Sequence, residues 1–585
     1  MNDEKFLLGL FGEKDEPDIQ SAYHAYQKGL DFNRQINLED TVKSNHNFVI
    51  GKQWEGVVAN GLPTPVFNIL KRVKGFIVAT ITSDNVAVNV TALANTPDTD
   101  SLLNPVEVVK DELAALTELN DLPSLIREFA SNSAVDGDGC IYTYWDADVD
   151  CGNGIKGAIK DEIIDNTNVF FGNPANRKVQ EQPYIIISMR EPVRSVRLRA
   201  KANDSKDWKR IMPDTEDNQA VDSAKYVDDM VTVLLTLYRN DETDTIWGYE
   251  STKDCEIRKP WDLGIRLYPI CWLPWDTIKN CYHGQAMITG LIPNQIFINK
   301  GHAMVMLSTT RMAFQKVVYD RTRIKQWDNR VGGAIGINGG DVNSVAKILE
   351  GAHIDPQISQ YLELVVGQTE QSLGATSVAL GDTRPDNTSA IIALQRAAST
   401  PSETTKQNLY KEVEAHARIW FEFMAEYYGK RTVDLPVDEE LAQAYQLAGK
   451  PVPETVPQEF DYKQLKDMPM MLKIDVGASS YFSEIASIQT LSNLLMNGLI
   501  DVVDFLERVP DTYVPERRAL IASINQRRQE QQMMMQQQQE QEAAMAAAGG
   551  EEPPIPQNQQ EIQQGGGYGS MQRAINSGED PANFV

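Results

Sequence analysis

Cysteine, histidine and basic charge are all scarce in this chain. Its five cysteines (Cys140, Cys151, Cys255, Cys271 and Cys281) are odd in number and never spaced as CxxC. That pattern argues against a disulfide framework or a structural zinc site and points to a reducing compartment. The six histidines (His24, His46, His283, His302, His353 and His416) form neither HExxH nor HxE, so a zinc hydrolase has nothing to build with. The Gly-Lys pairs ending at Lys52, Lys430 and Lys450 are followed by Gln53, Arg431 and Pro451, where a phosphate loop needs Ser or Thr. There is no GxSxG elbow. No run approaches the ~18–20 apolar residues of a bilayer span. The apolar stretch Phe6 to Phe11 sits among Asp3, Glu4, Glu13 and Asp15, unlike a secretory signal. Lysine and arginine number 55 against 82 acids, a net charge of −27. Tight wrapping of nucleic acid is disfavoured, because neutralising phosphates needs a basic face.

What is present is globular: 42% hydrophobic and 23% charged residues over 585 positions, enough for about two to four domains. The expectation is a soluble, acidic, cytoplasm-type chain. Asp146, Asp148 and Asp150 alternate as in a calcium loop, but Cys151 and Gly157 stand where such a loop needs Gly and Glu. They read instead as solvated carboxylates near a hairpin tip. Gly332, Gly333, Gly336, Gly339 and Gly340 lack phosphate-loop spacing and read as hairpin or bulge glycines. No catalytic, cofactor or metal constellation emerges.

Periodicity predicts a helical region over 17–50, a helix near 66–78, an alternating strand at Val86, Val88 and Val90, and one amphipathic helix over 105–135. In that last helix Leu113, Leu116, Leu119, Leu122, Leu125, Ile126 and Phe129 face the core. Residues 139–280 are β-rich, with buried strands at 184–189 and 231–237. Between these strands the chain is basic (Arg190 to Arg210) and then acidic (Asp214 to Asp229), which reads as a charged, solvated excursion. Trp261, Tyr268, Trp272 and Trp275 are either core or interface. Helices are expected over 285–311, with Pro293 as a kink or restart, and then after Pro356, from Ala390 to about Tyr428, and over 483–548. Residues 470–476 are strand-like. The Gln/Met-rich stretch 526–548 orders only against copies of itself or frays, and 549–585 cannot bury enough apolar area to order.

Four sets of residues, in this order, carry a resemblance. They are Gly51-Lys52-Gln53-Trp54 with Val66-Phe67-Asn68-Ile69; Tyr282-His283-Gly284-Gln285 with Leu291-Ile292-Pro293-Asn294-Gln295 and Asn299; Leu373-Gly374-Ala375 through Asn387-Thr388-Ser389-Ala390 to Leu394; and Val476-Gly477 with Ile488 to Leu491 and Asn497-Gly498-Leu499-Ile500. Over roughly 45–530 the chain resembles the portal, or head-to-tail connector, proteins of tailed bacteriophages. It departs from their commonest pattern at Thr388-Ser389-Ala390.

The resemblance implies an α+β portal-type fold, with a mixed α/β wing, a two-helix stem, a small α/β clip and a helical crown. Its divisions would be an N-terminal helical segment (1–45), wing (46–283), stem helix (284–311), clip (312–354), second stem helix (355–373), tunnel loop (374–389), wing again (390–480), crown (481–548) and a disordered tail (549–585). It further implies a ring, usually dodecameric, at one capsid vertex of a virion assembled in the host cytoplasm. That ring would pass double-stranded DNA transiently and without sequence preference. Its partners would be other copies of itself, the major capsid protein, the terminase large subunit and a head-tail adaptor; no cofactor and no membrane is implied. The loop residues Thr376, Ser377, Asp382, Thr383, Arg384, Asp386, Asn387 and Thr388 would line the channel with a polar surface that does not grip DNA. In the clip, Arg321, Arg323, Lys325 and Arg330 would either steer an acidic partner or line the DNA exit, or else pair with carboxylates of neighbouring subunits. Two rivals stand beside this reading. One is a terminase ATPase-nuclease, which lacks its phosphate loop here; the other is a non-channel virion protein such as a capsid or baseplate scaffold.

Overall fold

A computed structural model describes residues 17–83, 86–92, 105–150, 156–214, 229–313, 316–328, 335–349, 356–371, 402–436, 455–467, 470–476, 491–496, 500–509, 520, 521, 523, 524 and 527. The chain divides into two units, Met1–Phe482 and Ser483–Val585.

Helix α1, Ile19–Gln35, begins at a reciprocal cap. The Ser21 amide donates to Asp18 Oδ1 at 2.6 Å, and the Asp18 amide donates to the Ser21 hydroxyl at 3.0 Å. Asn37, at φ 53°, turns the chain directly into α2, Leu38–Ile50. Helix α2 therefore runs through the expected boundary at 45. Helix α1 belongs to the body as well, since Ala25, Tyr26 and Leu30 pack on Phe170, Ile186 and Leu234. Helix α3, Ile69–Ile81, leads to strand β1, Val86–Ala92, at the place alternation predicts.

The single helix expected over 105–135 is two, α4 (Pro105–Leu119) and α5 (Leu122–Asp136). Asp121 enters the left-handed region at φ 45°, Pro123 opens the new helix, and Leu119 ends 67% exposed instead of core-facing.

There follow β2 (Asp138–Asp150), β3 (Lys156–Ile163), β4 (Val169–Phe171), β5 (Tyr184–Pro192), α6 (Val193–Ala202), β6 (Met230–Asn240), β7 (Thr245–Ser251), β8 (Glu256–Asp262) and β9 (Ile270–Pro274). They form two antiparallel sheets, ordered β3-β2-β9 and β4-β5-β6-β7-β8. The apolar runs read as buried strands are neighbours, with Ile185 opposite Leu237 and Ile187 opposite Leu235. In the β2–β3 hairpin Gly157 sits under the Trp145 ring at φ 94°, and a Cβ there would lie 2.0 Å from the indole. Asp146 pairs with Lys160 at 2.8 Å, and this bond holds its carboxyl below the usual range.

Helix α7, Ile292–Ala313, starts later than the expected 284, with Pro293 in its first turn, where the missing amide breaks no helical hydrogen bond; a 3-10 turn, Thr289–Leu291, precedes it. Strand β10 (Lys316–Tyr319), a helical turn (Val342–Val345) and β11 (Ala346–Leu349) lead to α8, Pro356–Gln371. Helix α9, Glu403–Tyr427, precedes β12 (Lys430–Pro436), β13 (Thr455–Asp461) and β14 (Met470–Val476). Residues 390–401, where α9 was expected to begin, lie outside the described residues. Strand β14 pairs antiparallel with β1, Val86 facing Val476, and so ties the start of the unit to its end.

The main core lies where α9 packs on the three-stranded sheet. Leu409, Val413, Trp420, Phe423 and Met424 share one buried cluster with Phe129, Ile141 and Leu273. Tyr268, Trp272 and Trp275 belong to it too, and Trp261 packs against it with Arg258 3.8 Å over its ring, so this aromatic segment is core. A polar clasp holds α9 in place. Thr143 Oγ1, His416 Nε2 and Trp420 Nε1 lie 2.6, 2.7 and 3.0 Å from the Asp161 carboxylate. Beside it, burial pushes the Glu412 carboxyl up to about 7, with the Trp272 amide donating to it at 3.4 Å.

In the second unit residues 491–496 are helical, and helix α10, Val502–Arg508, buries Leu506. The tail 549–585 lies outside the described residues, as does all of 526–548 except Arg527. The architecture is α+β. No helix among the described residues is long and apolar enough to cross a membrane.

Candidate functional site: a helix pair with a polar root and a basic cap

Helices α7 and α8 lie side by side and antiparallel. Asn294 Nδ2 donates to Thr369 Oγ1 at 3.2 Å near one end, and the Phe297 and Tyr361 rings meet edge to face at 5.8 Å. Gly301 fits under Leu362, where a Cβ would stand 2.4 Å from Leu362 Cδ2. Glycine in a helix interior is destabilising by about 1 kcal/mol relative to alanine; here it lets the two helices approach closely. At 1.5 Å per residue the 22 residues of α7 span about 33 Å.

The root of the pair is a buried polar network. The Gln295 side chain donates to Phe67 O at 2.7 Å and accepts from the Ile69 amide at 3.1 Å. Asn299 donates to Gln53 Oε1 at 2.6 Å, and Gln53 and Asn68 donate to Phe48 O at 2.8 and 3.1 Å. Trp54 Nε1 closes the loop on Pro65 O at 2.8 Å. Gln53, Gln295 and Asn299 are all buried, so each lost partner would strand a desolvated polar group at about 1–3 kcal/mol. These residues belong to the first two motif sets quoted above, far apart in sequence. The remaining motif residue of that kind, His283, is locked nearby. Its Nδ1 is 2.7 Å from Asp138 Oδ2, its Nε2 is 3.2 Å from Asn33 Oδ1, and the Gly284 amide donates to Asp138 Oδ1 at 2.7 Å. Phe32 stacks on the imidazole and Tyr282 packs tilted against it at 4.0 Å, so His283 and Asp138 form a latch between α1 and the start of β2.

The far end of the pair is capped by the two-stranded β10–β11 ladder, Lys316 opposite Leu349. After β10 the chain turns on Asp320, which accepts from the Thr322 amide at 2.8 Å and hydroxyl at 2.5 Å; these bonds hold its carboxyl below the usual range. Ile324 is buried, as is Val345, and Trp327 stacks on Tyr319 at 5.3 Å. With its apolar members tucked in, the loop presents Arg321, Arg323 and Lys325 to solvent. Arg323 lies 3.7 Å from Asp320, while its carbonyl accepts from the Asn338 amide at 3.1 Å. Arg330 lies outside the described residues. So do all eight loop residues from Thr376 to Thr388.

Their positions in the sequence alone assign no role to Gln53, Asn68, Gln295 and Asn299. The available signal was amide side chains set into apolar stripes, which marks buried hydrogen bonding. Along α7 Asn299 and Ala303 are buried, whereas Met306 is 45% exposed. No family model matches the chain, and no curated protein matches it.

Proposed function

We propose that this chain is the subunit of a phage portal ring, set at one capsid vertex and passing double-stranded DNA during packaging and ejection. The observation that carries the reading is the helix pair: rooted by a polar network in an α+β body, it ends in a small sheet whose loop exposes three cations. Copies arranged about an axis would place their helix pairs side by side as pillars, with the caps at one mouth. Exposed apolar side chains along the pair, Phe297, Met304, Ile358, Tyr361 and Leu364, would then be covered by the next copy. A bore for sliding DNA must not grip it, because several phosphate contacts make a deep, salt-sensitive trap. A net charge of −27 repels phosphate and meets that need. The cap cations Arg321, Arg323 and Lys325 would dock the terminase motor and later the tail adaptor, and the body would face the major capsid protein.

The test is the mass of the purified full chain by native mass spectrometry, with symmetry from electron-microscopic class averages. A closed ring with a hole wide enough for a duplex is expected. A monomer, a filament or a shell would overturn the reading.

A further inference from the structure

The basic half of the expected solvated excursion, from Arg190 at the end of β5 to Arg210, folds. Helix α6 buries Val193, Val196 and Ala200 in a small second core with Ile211, Val233 and Ile257. Its cations then divide. Arg190 is held by Asp214 at 2.7 Å, and Arg199 by Glu191 at 2.9 Å and Glu250 at 3.5 Å. Arg194, Arg197 and Lys201, at i, i+3 and i+7 on one helix face, instead line a cavity of ≈ 450 Å³ together with Trp208, Met230 and, as the one carboxylate among the described residues there, Asp229.

Arg197 is oriented in advance, its Nε and Nη2 donating to Ile211 O at 3.0 and 2.6 Å. Lys201 Nζ stands 5.9 Å from the Trp208 ring centroid, and the exposed Arg194 and Lys201 have no carboxylate within ion-pair distance among the described residues. Leu198 lines the same cavity and is 62% exposed, a large apolar side chain between charges.

A concave wall with three cations and an apolar floor is a local reversal in a chain of net charge −27. We infer that this cavity docks an acidic peptide segment of a partner protein, one that carries a bulky apolar side chain. The cations pair with its carboxylates, and Trp208, Leu198 and Met230 receive the apolar group. Alternate side chains of an extended peptide recur at about 6.8 Å, close to the about 6 Å along the helix axis between Arg197 and Lys201. Nucleic acid fits less well: Asp229 repels carboxylate and phosphate alike, but the apolar lining of Leu198, Trp208 and Met230 can receive an apolar side chain and offers a sugar-phosphate backbone no partner. The inference uses only the fold of the first unit and does not rest on the ring.

The experiment is fluorescence anisotropy on the full chain with a fluorescein-labelled peptide, Asp-Glu-Phe-Asp-Glu-Leu-Asp. Its companions are the same peptide with Asn and Gln in place of the acids, and a short single-stranded DNA of equal charge. Saturable binding of the acidic peptide, weakened by salt, is expected. The double variant R194E/K201E, both positions on the surface, should lose about tenfold in affinity, while K259E on β8 should bind as the unaltered chain does. Equal binding of the neutral peptide, tighter binding of the DNA, or unchanged affinity in R194E/K201E would overturn the proposal.

Discussion

Helices α9 and α7 are of similar length, 25 and 22 residues, yet they bury very different things. Helix α9 buries Leu409, Val413, Ile419, Trp420, Phe423 and Met424 within its own unit. The buried positions of α7 are Gln295, Ile298, Asn299, Gly301 and Ala303, small or polar but for one, while Phe297, Met304 and Met306 stay exposed. The first helix is held by area removed from water, which is non-directional and large. The second is held by directional bonds at its root and by close approach at Gly301, and it leaves apolar surface unspent. A helix held that way has a fixed position and an unfilled face, as a pillar needs if it is to meet other copies.

The contrast can be broken most severely in the body. Trp420→Ala should cost about 3–5 kcal/mol, read as a large fall in the denaturant midpoint, because it leaves a cavity and takes a partner from Asp161. Gly301→Val should cost about 1–3 kcal/mol by overpacking against Leu362. Hydrogen exchange should locate that loss, with α8 amides exchanging faster and α9 amides unchanged; equal acceleration in both helices would erase the distinction drawn here.

Glu412 sharpens the comparison through pH. Its folded-state value of about 7 lies above the ordinary 4.5, so the folded protein holds a proton there that the unfolded chain has released. Stability from this group is therefore full below about pH 4.5 and declines as pH rises to about 7. Glu412→Gln should remove that decline and raise unfolding free energy at pH 8 by on the order of 2 kcal/mol, with the two proteins converging in acid. The smallest effect on unfolding belongs to the exposed face. Met304→Ser with Leu364→Ser, both more than half exposed, should change monomer stability by about 0.5 kcal/mol per site or less while abolishing any assembly seen by native mass spectrometry.

Much of the fold was legible where periodicity is strong. The alternation at Val86, Val88 and Val90 is a strand, and the apolar runs at 184–189 and 231–237 are adjacent buried strands. Pro293 marked a helix start, as its missing amide requires. Legibility failed where one residue changes the path: leucine spacing runs straight through 105–135, but Asp121 at φ 45° breaks it. It failed again in the basic stretch, where charge hid Val193, Val196 and Ala200, three apolar positions enough to seat α6. Of the proposed clip cations, Arg321, Arg323 and Lys325 are exposed as their charge predicts.

By itself, then, the amino-acid order determined local matters: which segments are helices and strands, where prolines permit a start, and that the surface is strongly acidic. These follow from backbone sterics, side-chain period and charge, which act over a few residues. Only the tertiary structure decided that β1 finds β14, that Gln53 and Asn299 meet, and that three arginine and lysine side chains of α6 share a wall with Trp208. Such meetings join segments far apart in the chain, and an amide or a cation in a sequence carries no mark of which distant partner will satisfy it.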